Sequence, residues 1–346
     1  MMKKIFLLLL TGIAITVHAQ DKPADPPLVI YGSVDTYYKY DFSGHNNIGT
    51  SFATDQNSVS IGMIDLGLKK KVNKASFVGE LSFGPRGEAQ SIPNAGTNGQ
   101  SFHIQNLYVG YDITSKLNVT AGYMATFIGY EVIAPTGNFN YSTSYLFTNG
   151  PFQNAGIKFT YAFTDKISLM AGAFNDDWNV YTSAGHVNSF GAQLMVTPVK
   201  GLTAYLNLLS SPLKGTEVDL TTAYQITSAF KLGLNAADFS AANNLTGGFS
   251  GVALYPQLAV SKAVTLGLRG EYFKNKAGTY GATNVVGPKP GDSVTALTLT
   301  ANLKSGPLTF IPELRLDNGS EEIFTNSNNA LTKSASQFSL AAVYAF

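Results

Sequence analysis

The last ten residues, QFSLAAVYAF at positions 337–346, narrow the choice of fold. Counted back from the end, every second residue is apolar: Phe346, Tyr344, Ala342, Leu340 and Phe338. The interleaved residues are mostly small or polar, and this period of two predicts a strand with one apolar face. A final strand frays unless something holds it, whereas a closed β-barrel pairs its last strand with its first. A soluble β-sandwich stays open as the alternative, because ten residues do not distinguish it from a barrel.

The first nineteen residues have the three parts of a secretory signal peptide. Lys3 and Lys4 form a positive segment, residues 5–17 are almost entirely apolar, and residues 17–19 have the small-x-small pattern of a cleavage site. We therefore expect cleavage of residues 1–19. A short periplasmic segment at 20–28 and a barrel domain at 29–346 would remain.

The composition separates a membrane barrel from an ordinary globular domain. Charged residues make up 13% of the chain, which contains 34 Gly, 18 Tyr and 22 Phe but no Cys. Globular domains carry about 25% charged residues, so the low charge favours strands whose apolar faces contact lipid. No run of eighteen apolar residues follows the signal peptide, which excludes a transmembrane helix. No basic patch predicts nucleic-acid binding.

Short and long connections alternate along the chain, and this alternation predicts the number of strands. The seven short connections are 71–74, 114–116, 164–166, 199–201, 227–229, 261–263 and 305–307. The eight long ones are near 41–58, 84–101, 130–151, 175–187, 210–216, 239–249, 275–292 and 318–335. Together they imply an all-β transmembrane up-and-down barrel of sixteen antiparallel strands, with short periplasmic turns and long extracellular loops. The expected location is the outer membrane of a Gram-negative-type cell.

Three residues do not fit the regular strand pattern. Asp65 is out of phase with its neighbours in the second predicted strand. If this strand and its neighbour are misassigned, the barrel has fourteen strands instead of sixteen. Pro256 and Pro312 lie inside predicted strands, where proline removes a hydrogen bond from the ladder, so we expect bulges at both positions.

The polar faces of the strands supply the candidate pore lining. Ten residues are predicted to face the lumen: Asp35, Lys39, Glu80, Asn118, Lys231, Arg269, Glu271, Glu313, Arg315 and Asp317. Their charges are mixed, and removal of Lys3 and Lys4 changes the formal net charge only from +1 to −1. Strong selectivity between ions needs a ring of one sign, so we predict weak selectivity.

Aromatic residues near predicted strand ends indicate girdles at the two lipid headgroup levels, and Tyr31, Phe190 and Phe310 are examples. The closing strand carries Phe338 at the outer girdle, with Tyr344 and Phe346 at the periplasmic one. An aromatic final residue is similar to the signal that the barrel assembly machinery reads, so these three are candidate assembly-signal residues. Outer-membrane lipid and this machinery are the expected partners.

The stretch GYMATFIGYEVIAPTGNFNYSTSYLFTNGPFQNAGIKFTYAF at 122–163 resembles the OmpL-like β-barrel porins, and so does FIPELRLDN at 310–318. The matching loop residues are Gly129, Tyr130, Glu131, Asn140, Tyr141, Ser142, Ser144, Leu146 and Phe147. The resemblance covers most of the chain after residue 19. It implies an outer-membrane barrel with the function of a porin, and it says little about the solute.

The loop between the fifth and sixth strands, about 130–151, is the candidate constriction. It is rich in aromatic side chains, which need something to pack against, and either the lumen wall or the outer rim could supply that surface. Its candidate residues are Tyr130, Glu131, Asn140, Tyr141, Tyr145 and Phe147. Glu131 is the only charged residue of the segment, so it could bias the narrowest point toward cations.

No catalytic, metal-binding or cofactor site is predicted. After removal of the signal peptide the chain has three histidines, His45, His103 and His186, and none belongs to a hydrolase or zinc motif. The sequence therefore predicts a passive diffusion channel for small hydrophilic solutes, whose strand number is compatible with a homotrimer. The alternatives are a closed or plugged barrel with a binding, adhesion or structural role, and a transporter of hydrophobic solutes.

Overall fold

The computed structural model describes residues 25–86, 103–176, 178–179 and 186–346. The predicted signal peptide at 1–19 and the first part of the segment 20–28 lie outside the described residues, as does most of the loop predicted at 84–101. Residues 25–28 lead without regular structure into the first strand.

In the described residues, sixteen strands form one closed antiparallel barrel, and two short strands form a separate ladder. The strands are β1 (Val29–Asp41), β2 (Ser58–Val72), β3 (Ala75–Phe83), β4 (Ile104–Asp112), β5 (Leu117–Ala125), β6 (Gln153–Ala162), β7 (Ile167–Asn175), β8 (Val187–Val196), β9 (Leu202–Ser211), β10 (Gly215–Gln225), β11 (Phe230–Ala241), β12 (Gly248–Ala259), β13 (Val264–Lys276), β14 (Ser293–Ser305), β15 (Leu308–Gly319), β16 (Phe324–Thr325), β17 (Leu331–Thr332) and β18 (Ser334–Ala345). Strands β16 and β17 lie in the last long loop, and the other sixteen make the barrel. The long loops also contain the helices α1 (Tyr145–Asn149) and α2 (Tyr280–Thr283) and a 3-10 turn at Pro135–Gly137.

The last strand closes the barrel against the first, as the alternating pattern predicts. Ala342 of β18 pairs with Thr36 of β1 in an antiparallel register. The backbone amide and carbonyl of Phe346 exchange hydrogen bonds of 3.0 and 3.1 Å with Gly32. The aromatic side chain of Phe346 is exposed. The prediction of sixteen strands is confirmed, and the fourteen-stranded alternative is wrong.

A bulge explains the irregular second strand. Val34 of β1 pairs with Ile64 of β2, but Thr36 pairs with Ile61, so the register shifts by one residue between these pairs. Residues 62 and 63 both lie on the buried side of β2, and the phase of the strand changes there. Asp65 therefore faces the interior, although it is out of phase with the residues before the bulge. A bulge inserts one extra residue and re-aims the side chains after it.

The bulges expected at Pro256 and Pro312 are absent from these described strands, and that prediction is wrong. On either side of Pro256, the pairs Leu254–Gly270 and Gln257–Gly267 are in the same register. The β14–β15 ladder is likewise interrupted beside Pro312 without a shift. A missing N–H removes one ladder bond, and the strands keep their register because no residue is inserted.

The barrel has an apolar exterior and two kinds of interior. Leucine, valine and aromatic side chains are exposed on the outside, where they would contact lipid. Inside the extracellular half, inner-wall aromatics and loop side chains pack into a hydrophobic core that includes Phe174, Phe239, Phe249 and Phe273. Among the described residues, no helix has the length and apolar character needed to cross a bilayer.

One predicted girdle residue lies on the other face of its strand. The hydroxyl of Tyr31 donates a hydrogen bond of 3.1 Å to Glu80, so the ring is turned toward the lumen. The alternation of β1 has the buried residues Ser33, Asp35 and Tyr37 in phase with Tyr31, which requires this direction. Phe190 and Phe310 face outward, as a girdle requires.

Candidate functional site

The loop between β5 and β6, residues 126–152, enters the barrel interior and is called the crossing loop below. Its two ends are rooted at Ala125 and Gln153. Its middle makes hydrogen bonds with β13, β14 and β15, which lie on the opposite side of the ring from β5 and β6. The loop therefore spans the lumen and does not cap the outer rim.

Local sequence features shape the crossing loop. Gly129 adopts a φ of 88°, a left-handed conformation that favours glycine and turns the chain inward. Ser144 caps α1, because its Oγ accepts a hydrogen bond of 3.0 Å from the backbone amide of Phe147. The same serine donates its own amide to Glu131 Oε2 over 2.8 Å. These contacts are made within the loop itself and hold its two arms together.

Arg269 of β13 makes the most extensive contact with the crossing loop. Its Nη1 lies 2.8 Å from Glu131 Oε1, and both side chains are buried. Nη1 and Nη2 also donate to the backbone carbonyls of Ser142 and Thr143, over 2.6 and 3.3 Å. A guanidinium offers five donors in a fixed plane, which suits this set of converging acceptors.

Two wall carboxylates bind backbone amides of the crossing loop. Glu313 of β15 accepts hydrogen bonds of 3.1 and 3.2 Å from the amides of Tyr141 and Ser142. Glu271 of β13 accepts bonds of 3.0 and 2.8 Å from the amides of Tyr145 and Leu146. Hydrogen bonds to a charged acceptor are about twice as strong as neutral ones. The loop is therefore held by several charge-assisted bonds at once.

A second arginine continues this set of contacts. Arg315 of β15 donates to the carbonyl of Thr143 over 2.8 Å and pairs with Asp317 over 2.8 Å. The hydroxyl of Tyr145 donates to Asp317 over 2.8 Å. Burial, followed by the charge of Asp317, raises the pKa of Tyr145 well above its usual range. The phenol therefore stays protonated and acts as a hydrogen-bond donor.

Tyr141 makes the corresponding contact on β1, where its hydroxyl donates to the carboxylate of Asp35. Arg86 donates to the carbonyl of Tyr141 over 2.9 Å and lies 4.7 Å from the centre of its ring. Burial raises the pKa of Tyr141, against the lowering effect of Arg86 and with the support of Asp35. The crossing loop thus contacts the first strand of the barrel as well as the last ones.

All ten residues predicted to line the pore lie on the inner face of the barrel. Glu80 accepts bonds from Gln105 and Asn106, and Asn118 donates to Asp112 over 2.8 Å. Lys39 is buried, and its ammonium lies 2.5 Å from Asn46 of the first long loop. Six of the ten hold the crossing loop and have little water contact: Asp35, Arg269, Glu271, Glu313, Arg315 and Asp317.

The six candidate constriction residues are in the crossing loop, but one has a different environment from that expected. Glu131 is only 6% exposed and is paired with Arg269, so it does not present an unbalanced negative charge to the lumen. This pairing argues against the prediction that Glu131 biases the narrowest point toward cations. Tyr130 stacks on Tyr255 of β12 with ring centres 4.4 Å apart. Asn140 donates to Thr300 over 2.7 Å, and Phe147 packs against Phe52 and Phe152.

Sequence reasoning missed several residues that hold the crossing loop, and Asp219, Asn179 and Arg86 are three of them. Asp219 of β10 accepts a bond of 3.0 Å from the amide of Gly129, and Asn179 accepts one of 2.7 Å from the amide of Phe152. Arg86 is the third. Asp219 alternates with apolar residues in its strand, so the period-two pattern could have identified it. Arg86 and Asn179 lie in loops, where no periodicity applies.

In the described part of the chain, two cavities lie beside the crossing loop, toward the periplasmic end. The larger, about 750 Å³, is lined by Lys231 and Lys304 together with uncharged polar residues and Glu131 of the loop. The smaller, about 420 Å³, has a mostly apolar lining that includes Ile133 and Phe152, and its acidic wall residues are Asp65 and Glu80. The 3-10 turn of the loop lines both cavities. Basic and acidic wall residues are therefore separated by the loop.

Solved structures of outer-membrane channels have the same fold. The channel DcaP of Acinetobacter baumannii matches with a TM-score of 0.60 and 13% identity, over 92% of this chain and 97% of that one. Salmonella typhi OmpF matches with a TM-score of 0.61 and 12% identity, over 92% and 97%. The trimer form of Vibrio cholerae OmpT matches with a TM-score of 0.57 and 14% identity, over 92% and 99%. Identities this low show the fold alone.

Sequence comparison identifies the family. No curated protein sequence matches the chain. A family model described as "Putative beta-barrel porin-2, OmpL-like" matches residues 27–346, which include every strand of the barrel. The protein therefore belongs to this OmpL-like porin family and is a porin of the outer membrane.

Proposed function

We propose that the protein passes small hydrophilic solutes by diffusion and that the crossing loop limits their size. The observation that carries the proposal is the loop's position across the lumen, with a cavity on either side of it that contains charged wall residues. Loops that act in function usually sit on a rigid scaffold, and a barrel of this strand number is wide enough for water without such a loop. The solute path then follows the space between the loop and the wall.

The separated charges of the two cavities support weak ion selectivity. The side lined by Lys231 and Lys304 attracts anions, and the side lined by Asp65 and Glu80 attracts cations. Charges of opposite sign on different sides of the lumen do not make a ring of one sign, which strong selectivity requires. We expect Lys231→Gln with Lys304→Gln to move the reversal potential toward cations, and Glu80→Gln to move it toward anions.

Deletion of residues 136–144 tests the role of the crossing loop. In single-channel recordings in planar bilayers, we expect the deletion to raise conductance and the size limit for neutral sugars. A matched control is deletion of Ser327–Ala330, exposed residues of the last long loop, which should leave both unchanged. Unchanged conductance in a correctly folded deletion variant would exclude the crossing loop as the constriction.

A second candidate function is a closed barrel that binds or supports other components. The hydrophobic core inside the extracellular half favours this alternative, because such packing leaves little room for water. The same recordings distinguish the two functions. A diffusion channel conducts in the wild-type form, whereas a closed barrel conducts only after the loop deletion.

A homotrimer is the assembly we propose, and the trimer form of OmpT is the similar structure that supports it. Mass measurement of the detergent-solubilised protein tests this directly, with three chains expected. We also propose that residues 1–19 are removed on export, and mass spectrometry of the mature chain would find Gln20 at its amino end.

A further inference from the structure

A small pocket at the extracellular mouth combines aromatic side chains with a buried carboxylate. It is separate from the two periplasmic cavities and has a volume of about 110 Å³, which is about the liquid volume of four waters. Its lining includes Trp178, Glu217, Phe239 and Tyr280, together with Lys214 and Asn179.

Three aromatic rings form one side of this pocket. The rings of Trp178 and Phe239 are 6.1 Å apart and nearly perpendicular, and the rings of Phe239 and Tyr280 are 5.2 Å apart at 52°. The indole N–H of Trp178 donates to Ser189 over 3.0 Å, which fixes the ring in place. Several aromatic rings lining one small space are the recurring feature of the aromatic cages that bind ammonium groups.

Glu217 supplies a carboxylate without a partner. It is 2% exposed, and its Oε2 is buried with no hydrogen bond in the described part of the chain. Two neighbouring acids differ from it: Asp219 is bound by Asn207 and by the amide of Gly129, and Asp238 pairs with Lys276 over 2.7 Å. A buried carboxylate without a partner is costly unless a cation or a proton neutralises it.

The other polar groups of the pocket do not neutralise the Glu217 carboxylate in the described part of the chain. Asn179 binds the backbone amide of Phe152 through its side-chain oxygen, and no ion pair joins Lys214 to Glu217 among the described residues. Burial, followed by the charge of Glu217, raises the pKa of Tyr280, so this phenol stays neutral.

We propose that this pocket binds the ammonium group of small organic cations, with Glu217 as the counter-charge and the three rings as the walls. The site would concentrate amine-bearing solutes at the outer entrance. Its binding does not depend on whether the crossing loop forms the constriction.

The single tryptophan of the chain makes the proposal testable, because Trp178 is the only one and it lines the pocket. The purified protein in a maltoside detergent is titrated with tetramethylammonium chloride while tryptophan fluorescence is recorded. Sodium chloride at equal ionic strength is the reference. We expect a saturable change with tetramethylammonium and none with sodium, and tetrabutylammonium should be too large to produce it.

Two variants are expected to weaken the binding of tetramethylammonium at least about fivefold. This is the effect expected from the loss of one cation–π or ion-pair contact. Glu217→Gln removes the charge at nearly constant shape, and Tyr280→Leu removes a ring from a short loop helix in case the first variant does not fold. Asp238→Asn is the matched control, because Asp238 is already paired with Lys276, and it should bind like the wild type. The proposal is overturned by a wild-type titration that does not saturate, by equal responses to sodium, or by Glu217→Gln and Tyr280→Leu binding unchanged.

Discussion

Replacing Arg269 by methionine should release the crossing loop. The guanidinium makes five hydrogen bonds, four of them to the crossing loop, and its partner Glu131 is buried with it. Removing one partner of a buried ion pair costs about 3–5 kcal/mol, because the other charge is left without compensation. At about 1.4 kcal/mol per factor of ten, the open state of the loop should become about 10²-fold to a few thousandfold more populated.

Hydrogen exchange measured by mass spectrometry gives this population directly, because exchange of a protected amide reports local opening. The amides of Tyr141, Ser142 and Ser144 bind carboxylates in the closed loop, so a peptide covering 140–147 should exchange faster by about that factor. The variant Arg269→Met with Glu131→Gln removes both charges and should return most of the protection. Exchange within about tenfold of the wild type in Arg269→Met would refute this reasoning, as would a double variant as fast as the single one.

The remaining predictions concern the closing strand, the bulge and a phenol. Deletion of Phe346 should reduce the folded, heat-modifiable fraction on gels, whereas Phe346→Tyr should keep it. Gly62→Ala should lower the free energy of unfolding in urea by about 1–3 kcal/mol, because a Cβ there would meet the carboxylate that binds the bulge, whereas Gly270→Ala has open space and should change little. Tyr145→Phe removes a donor from buried Asp317 and should cost about 1–3 kcal/mol in the same urea assay; an unchanged midpoint would contradict the assigned hydrogen bond.

The sequence predicted the barrel well because its two signals are local. Alternating side chains and alternating turn lengths each depend on neighbouring residues, and both agree with the observed strands and the closure of Phe346 against Gly32. The bulge at Gly62 and Met63 was visible only as a change of phase at Asp65, because one inserted residue leaves no other trace. Pro256 and Pro312 show the opposite case, in which a strong local signal has no effect on register.

The interior was less predictable because its contacts join distant parts of the chain. A charge pattern identifies Arg269 and Glu313 as inward residues, but not which loop atoms they bind. Glu131 stands alone in its segment, and only the folded chain brings Arg269 of another strand to it. Glu217 and Asp219 alternate regularly with apolar residues in β10 and could have been identified as inward, whereas the partners of loop residues such as Arg86 follow no period.

The wall residues that bind the crossing loop also affect the order in which the barrel can assemble. The loop follows β5, yet its bonds to Glu271 and Glu313 join residues 125 to 172 positions apart, on strands near the end of the chain. Contacts of such long sequence separation form late, because chain entropy must be lost before they can stabilise anything. A partly inserted barrel therefore has a loop without its wall partners, and the size limit proposed for the loop is complete only when the final strands arrive. On the proposed role of the loop, a barrel that lacks β13 to β18 would therefore have no size limit of its own.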